Sequence, residues 1–241
     1  MTPKGPRARA AAAAQSETHQ QVVSKAWGDI LAVLDALLGT VGKAHVPNVL
    51  TQALFKQLFS FINVNLFNQL LLRRECCSFS NGEHVRTGLS QVEQWIANAG
   101  AELMADSWEE LRFIRNAVQF LVIGNKPRRT LQEIESDICP ELSIQQLYRI
   151  STMYWDDRYN TETVSSEVLA KMKQQMAEAN STSSHSFLLD DDATLPFQAA
   201  EVLNNMDDRD LNAGIPVPAP LKGTGDYAFL EKDLKIAALA G

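Results

Sequence analysis

The sequence predicts an all-α fold: a multi-helix bundle organised around one long central helix, with an extended C-terminal segment and disordered ends. Three observations predict it. Residues 48–75 form a largely apolar stretch without glycine or proline. Four capping-box motifs precede apolar runs farther along the chain, and each marks the start of a helix. The chain also lacks the alternation of apolar and polar residues that is typical of β-strands.

The central stretch, residues 48–75, predicts a helix of about 42 Å, at about 1.5 Å per residue. Pro47 precedes it, and Asn48 is the expected N-cap. One apolar stripe recurs every four positions: Leu54, Leu58, Ile62, Leu66 and Leu70. Further apolar residues lie beside or opposite this stripe: Phe55, Phe59, Phe61, Phe67 and Leu71. Because a helix this apolar cannot lie on a surface, we expect other helices around it. Interrupting asparagines argue against a membrane span.

Composition narrows the class of protein. The 241 residues are 45% hydrophobic, which suffices for one sizeable core. A net charge of -7 and a pI of about 5.2 argue against nucleic acid as the main partner, since phosphate binding requires a basic face. Three cysteines, of which Cys76 and Cys77 are adjacent, indicate reduced thiols in a reducing compartment.

The first 47 residues are expected to contain a leader and one helix. Residues 1–18 are Ala-rich, and we expect them to be disordered, without a signal peptide. Residues 19–44 predict a helix that ends at Gly39 or Gly42, with the break confirmed by Pro47. Its apolar face contains Val23, Trp27, Ile30, Leu31, Leu34, Leu37 and Leu38.

The four capping boxes begin at Ser80, Ser107, Thr130 and Ser143. The predicted helices run to about residue 98, to Gly124, to residue 139 and over residues 142–159. Four such motifs in phase with apolar runs favour a helical bundle with short connections. In the fourth helix we expect four residues to face inward: Leu147, Ile150, Tyr154 and Trp155.

The C-terminal part predicts one further helix, an extended piece and a linker. Residues 165–178 carry Val168, Leu169, Met172 and Met176 on one side, and a polar loop follows over 180–186. Phe187, Leu188 and Leu189 are expected to hold an extended piece on the bundle, and Pro196 to start a last helix to Met206. The helical domain is thus expected over residues 19–206. Residues 207–241 are compatible with a Pro-containing linker and a short amphipathic helix.

Five segments resemble the globular tail, or dilute domain, of class V and class XI myosins, and the plant and green-algal class XI tails most of all. They are LFNQLLLRRECCSFSNGE (66–83), WEELRFIRNAVQFLV (108–122), KPRRTLQEI (126–134), ICPELSIQQLYRISTMYWDD (138–157) and SFLLDDDATLPF (186–197). The resemblance covers about residues 48–206. It implies an all-helical tail in which a long helix runs through two sub-bundles, and which docks vesicles, organelles or their adaptor proteins.

The chain departs from this family in three respects. It has no G-x-x-x-x-G-K-[ST] loop for ATP and no motor. The upstream half of the usual tail is absent, with an Ala-rich start in its place, and residues 207–241 match no segment of the family that we can place. We therefore expect either a fragment of a motor or a tail-only product.

Two basic clusters are candidate partner-binding sites. Arg73 and Arg74 lie at the expected end of the long helix, where they either compensate the helix dipole or anchor an acidic partner. Lys126, Arg128 and Arg129 lie beside the helix expected at Thr130. With its free N–H groups they could bind a phosphate or carboxylate, and a solvated loop is the alternative.

The acidic candidates are Asp156 and Asp157, followed by Asp190, Asp191 and Asp192. Adjacent acids on a helix point in different directions, so we expect the first pair to bond loop amides or arginines rather than to catalyse a reaction. The aspartate run is a candidate docking face for a basic partner, since it lacks the spacing of an EF-hand. The sequence predicts no catalytic residue, cofactor or metal site, because no known constellation of such residues occurs.

The function that these features predict is that of a non-enzymatic, cargo-binding tail of an actin-based transport myosin. The expected partners are cargo adaptor proteins or small GTPases on cytoplasmic vesicles and organelles. Two alternatives stay open: an autoinhibitory tail that acts on a myosin motor head, and a dilute-type module of an afadin-like scaffold. An ATPase assay with added tail tests the first, and the upstream coding sequence tests the second.

Overall fold

A computed structural model describes residues 6–104, 106–159, 161–179 and 187–190 of the chain. Within these ranges the fold is helical, as predicted, and contains no β-strand; one isolated parallel bridge joins Ser78 and Trp155. The helices are α1 (Pro6–Lys43), α2 (Asn48–Leu72), α3 (Phe79–Ala99), α4 (Ala101–Met104), α5 (Arg112–Val122), α6 (Leu131–Glu133), α7 (Ile144–Met153) and α8 (Ser166–Ala179). Short 3-10 turns cover Arg74–Cys76, Ser107–Leu111 and Lys126–Arg128, and a π-helical turn covers Ile134–Ile138.

Helix α1 begins at Pro6, so residues 6–18 are helical where we expected disorder. Alanine has the highest helix propensity, and proline is favoured in the first turn, which explains the extension. The helix passes both glycines that were predicted to end it and stops at Lys43. The predicted break at Pro47 is confirmed.

Helix α2 is the central helix, and it ends at Leu72 rather than at residue 75. Pro47 is its N-cap and makes no side-chain cap bond, so the capping role predicted for Asn48 is wrong. The buried face follows most of the phenylalanines, whereas Leu70 is the one member of the leucine stripe that is fully part of it. The buried face consists of Thr51, Phe55, Phe59, Asn63, Val64, Phe67, Leu70 and Leu71. Aromatic rings remove more apolar area from water than leucine does, which favours this orientation.

Helix α3 crosses both α1 and α5 at close range. At Gly82 an added Cβ would lie 2.7 Å from Leu121 Cβ on α5. At Gly88 it would lie 1.9 Å from the Trp27 ring on α1. Trp95 of the same helix packs on the Phe55 ring, with centroids 5.6 Å apart, and donates a hydrogen bond to the Asp35 carboxylate. Helices α1, α2 and α3 therefore share one core.

Two of the four predicted capping boxes are confirmed. Thr130 and Glu133 form a reciprocal box at α6, and Ser143 and Gln146 form one at α7. In both boxes the hydroxyl accepts the N3 amide while the N3 side chain accepts the N-cap amide.

The boxes predicted at Ser80 and Ser107 are wrong. Helix α3 begins earlier, with Ser78 as its N-cap, and its oxygen accepts the Asn81 amide. Ser107 is buried at the start of a 3-10 turn, and α5 follows only at Arg112. The buried Asn63 side chain of α2 accepts the Ile114 amide at 2.9 Å. At α3 another local cap thus replaces the predicted one, whereas at α5 a distant side chain accepts an amide of the first turn.

Helix α7 ends at Met153, six residues before the predicted end, and the following residues form a loop. Leu147, Ile150 and Tyr154 are buried as expected, but 41% of Trp155 is exposed. Helix α8 agrees with its prediction within one residue. The expected last helix from Pro196, the loop over 180–186 and the linker over 207–241 lie outside the described residues.

Candidate functional site

The loop after α7 is fixed against the turn after α2 by three hydrogen bonds. The Trp155 amide donates to Cys77 O at 3.2 Å, and the Phe79 amide donates to Trp155 O at 3.3 Å. The Trp155 indole Nε1 donates to Arg74 O, also at 3.2 Å. Residues that are about 80 positions apart in sequence therefore lie at one end of the bundle.

Asp156 organises this loop from within. Its carboxylate accepts the amides of Arg158, Tyr159 and Thr161 and the Thr161 hydroxyl. Burial alone would raise the pKa of Asp156, but these hydrogen bonds, that of the Thr161 hydroxyl foremost, lower the pKa to about 2. The expectation that this acid bonds loop amides is confirmed.

Asp157 binds the first turn of helix α3 instead. Its Oδ1 accepts the Ser80 amide at 3.0 Å, in the first turn of that helix. A carboxylate in this position satisfies an unpaired amide and interacts favourably with the helix dipole. The two predicted acidic candidates, Asp156 and Asp157, therefore hold the structure together.

Lys126 is buried, with 3% of its surface exposed, so its predicted role as an exposed partner-binding cation is wrong. Its Nζ donates to Leu121 O at 2.9 Å and to Ile123 O at 2.8 Å, which satisfies carbonyls at the end of α5. The ammonium also lies 4.0 Å from the Tyr154 ring centroid, a cation–π contact. Burial lowers the pKa of Lys126 to about 8, although the Asp156 carboxylate opposes part of the shift.

We expect the depressed pKa of Lys126 to make stability depend on pH. Between about pH 8 and 10.5 the unfolded chain binds the proton that the folded chain has released, so the free energy of unfolding rises with pH. Urea denaturation of the wild type and of Lys126→Met across this window measures the effect. The difference between the two pH slopes reports Lys126 alone, because the cysteines and tyrosines titrate in both proteins. Equal pH slopes would contradict the expectation.

The anion site predicted at the start of α6 is occupied by a residue of the chain itself. Glu133 Oε2 accepts the Thr130 amide at 2.8 Å, and this bond is the main cause that lowers the pKa of Glu133. Arg129 forms an ion pair with the same Glu133 carboxylate at 3.6 Å. Arg128 is exposed on the preceding turn. The three cations of this cluster thus have different environments and form no common site.

Arg73 and Arg74 are both exposed, and the structure places the exposed Trp155 beside them. Leu72 and Tyr159, which are 52% and 63% exposed, lie at the same junction, and the Tyr159 ring packs edge-on against Phe79. We call this surface the Trp155 patch: Leu72, Arg73, Arg74, Trp155 and Tyr159. Sequence reasoning identified the two arginines but missed the other three, since an apolar residue in a motif normally indicates core.

The three cysteines are free thiols, as expected. Burial raises the pKa of Cys77 and of Cys139 to about 12, which leaves both protonated and unreactive at neutral pH. No group of three or more potential metal ligands occurs among the described residues. Asp190 is exposed, whereas Asp191 and Asp192 lie outside the described residues.

Comparison with known proteins finds one matching domain family and several similar proteins. The DIL domain matches residues 53–158. The chain is 49% identical to Myosin-9 of Arabidopsis thaliana over 88% of its length, which is 14% of that myosin. It is 46% identical to Protein OPAQUE1 of Zea mays over 85% of its length, or 13% of that protein. The chain thus spans about a seventh of the length of these curated relatives.

Solved structures agree with the fold. The Myo2-GTD from its complex with Inp2 superposes with a TM-score of 0.66 at 20% identity, and the match covers 80% of this chain and 48% of that chain. A yeast myosin 5 cargo binding domain gives a TM-score of 0.64 at 19% identity, covering 80% and 49% respectively. Among the described helices, none has the length and apolarity to cross a membrane. Residues 53–158 of the chain therefore match the DIL domain, and the chain is similar in sequence to class XI myosins.

Proposed function

We propose that this chain is the cargo-binding part of a myosin tail, a non-catalytic module that binds adaptor proteins or small GTPases on cytoplasmic vesicles and organelles. The observation that carries the proposal is the Trp155 patch. Tryptophan, tyrosine and arginine are the residues most enriched where binding energy concentrates in protein interfaces. A patch of this composition at a rigid junction of the fold is suited to an acidic partner segment with apolar side chains.

The relatives support the same function. Myo2-GTD has been solved in complex with Inp2, Smy1 and Mmr1. The curated relatives reported above are myosins or OPAQUE1, which favours a motor tail over a junction or scaffold protein. The matched region is a tail domain, so ATP hydrolysis would belong to a motor head elsewhere in a full-length myosin.

Hydrogen bonds within the fold hold the Trp155 patch in place in the absence of a partner. The Trp155 ring is fixed by its bond to Arg74 O, and the loop behind it by the four bonds to Asp156. Binding therefore loses little conformational entropy at the tryptophan, which is the advantage of preorganisation. The two arginines add charge that accelerates encounter with an acidic surface.

We expect Trp155→Ala and Arg74→Glu to weaken binding to organelles about 30-fold, the effect of a hot-spot residue worth about 2 kcal/mol. Purified full chain is co-sedimented with isolated plant organelles, with or without prior protease treatment of the organelle surface. Binding by the wild type should disappear after protease treatment, because the proposed receptor is a protein.

Lys56→Glu is the matched control for Arg74→Glu. It introduces the same charge change on α2, about 25 Å along the axis at about 1.5 Å per residue. Lys56 is half exposed, and the substitution also removes its ion pair with Glu110, which contributes little at the surface. We expect wild-type binding from this variant. Equal binding by all variants would remove the patch from consideration, and protease-resistant binding would indicate lipid as the receptor and overturn the adaptor proposal.

A further inference from the structure

The described part of the C-terminal region is a short segment outside any helix or strand, Phe187–Asp190, that packs on α2 and α7. Gln146 Nε2 of α7 donates to Phe187 O at 3.0 Å. Asn68 of α2 makes two bonds to a single residue: its Nδ2 donates to Leu189 O, and its Oδ1 accepts the Leu189 amide, both at 2.9 Å. Two side-chain amides thus bind the main chain of the segment.

This pattern imitates a neighbouring β-strand. In an antiparallel pair, one residue exchanges its N–H and C=O with the opposite residue, and Asn68 supplies the same pair of groups from a helix. Main-chain bonds of this kind accept any extended segment, whatever its side chains, as in recognition by strand addition. The α2–α7 groove therefore has the chemistry of a peptide-binding site.

Side-chain contacts add selectivity to the groove. The Arg149 guanidinium lies 5.2 Å from the Phe187 ring centroid, and a hydrogen bond from its Nε to Leu71 O fixes its position. Phe187, Leu188 and Leu189 are partly buried against the core. The groove thus favours an aromatic residue that is followed by two residues of leucine size.

We propose that the α2–α7 groove is a peptide-docking site for a segment of an adaptor protein, and that Phe187–Asp190 occupies it in cis as a competing ligand. The partner would be an extended peptide in which an aromatic residue precedes two leucine-like residues. This inference rests on the proposed adaptor-binding function and adds a second contact surface to the Trp155 patch. A tethered segment competes at an effective concentration on the order of millimolar, so the groove opens only to a partner that outcompetes it.

A labelled peptide with the sequence of residues 186–192 tests the proposal by fluorescence anisotropy against the full-length chain. Phe187→Ala/Leu189→Ala weakens the cis segment while the groove stays unchanged. We expect this variant to bind the peptide at least tenfold more tightly than the wild type does. Adding Asn68→Ala to it should abolish the gain. Asn68 is the better choice for this test because Gln146 also forms the capping box of α7.

Leu189→Pro is a second variant that weakens the cis segment, because proline lacks the N–H that donates to Asn68. Position 189 lies outside every described helix, so the substitution breaks none of them. Circular dichroism confirms that each variant keeps its helical content. The proposal would be overturned if the wild type and the variants with a weakened cis segment bound the peptide equally. It would also be overturned if these variants bound a scrambled peptide, or if adding Asn68→Ala to them left peptide binding unchanged. Dimers of the wild type that dissociate on Leu189→Pro would show a second copy as the occupant and would also overturn it. Because the probe is a synthetic peptide, this test can fail while organelle binding through the Trp155 patch is retained.

Discussion

Replacing Phe59 by alanine is expected to lower the free energy of unfolding by about 3–5 kcal/mol, the range for truncating a buried phenylalanine. Phe59 is fully buried on α2, with its ring centroid 6.4 Å from those of Phe55 and Trp95. The surrounding rings belong to two helices whose positions are fixed by other contacts. The rings cannot move into the cavity that the substitution leaves. The variant therefore loses the transfer free energy of the phenylalanine side chain and the van der Waals contacts of the atoms that lined it.

Phe61→Ala is the matched control, because it removes the same side chain from the same helix. Phe61 is 53% exposed, and we expect its truncation to change the free energy of unfolding by no more than about 0.5 kcal/mol. Guanidinium denaturation of both variants, followed by circular dichroism, measures the two values. Similar losses at both positions would mean that α2 is rotated about its axis relative to the fold described above.

These two residues show what the sequence could and could not predict about α2. The helix and the helices packed around it were predicted from a largely apolar stretch without glycine or proline, and both are confirmed. The orientation did not follow, because leucines and phenylalanines recur with the same spacing about 100° apart around the helix. Tertiary partners decide which set is buried, among them Trp95 on α3 and Phe113 on α5.

The capping motifs have the same limit for a different reason. The boxes at Thr130 and Ser143 are closed by residues three positions away, so a local pattern suffices. At α3 the local cap is Ser78, two residues before the predicted one, and Asp157 accepts the Ser80 amide from 77 positions away. At α5 Asn63 accepts the Ile114 amide from 51 positions away. No local pattern contains these bonds.

The candidate site was predicted only in part, because formal charge says nothing about burial. Arg74 and Lys126 are equivalent in a charge pattern, yet one is exposed beside Trp155 and the other bonds two carbonyls inside the fold. Trp155 was assigned to the interior by its helical phase. The helix ends before this position, so the phase no longer applies, and the ring is left at the surface.

Glycine substitutions in the first and third helices are expected to act in opposite directions. Gly88→Ala should lower the free energy of unfolding by about 3 kcal/mol, at the upper end of the range for overpacking. Its new Cβ would lie 1.9 Å from the Trp27 ring, and an indole in a packed core has no room to retreat. Helix α1 would have to move away from α3, which a change in tryptophan fluorescence would report.

Gly28→Ala is the control, since it adds the same methyl group next to Trp27 in sequence. Nothing lies within 4 Å of the added Cβ, and Gly28 is exposed within a helix. We expect a gain of about 0.5–1 kcal/mol, the usual advantage of alanine over glycine in a helix interior. Urea denaturation of the two variants should therefore give changes of opposite sign. Stabilisation by Gly88→Ala would contradict the close contact between α1 and α3, and with it the place of Trp27 in the shared core. Helix propensity favours both substitutions equally, so any difference in sign must come from tertiary packing.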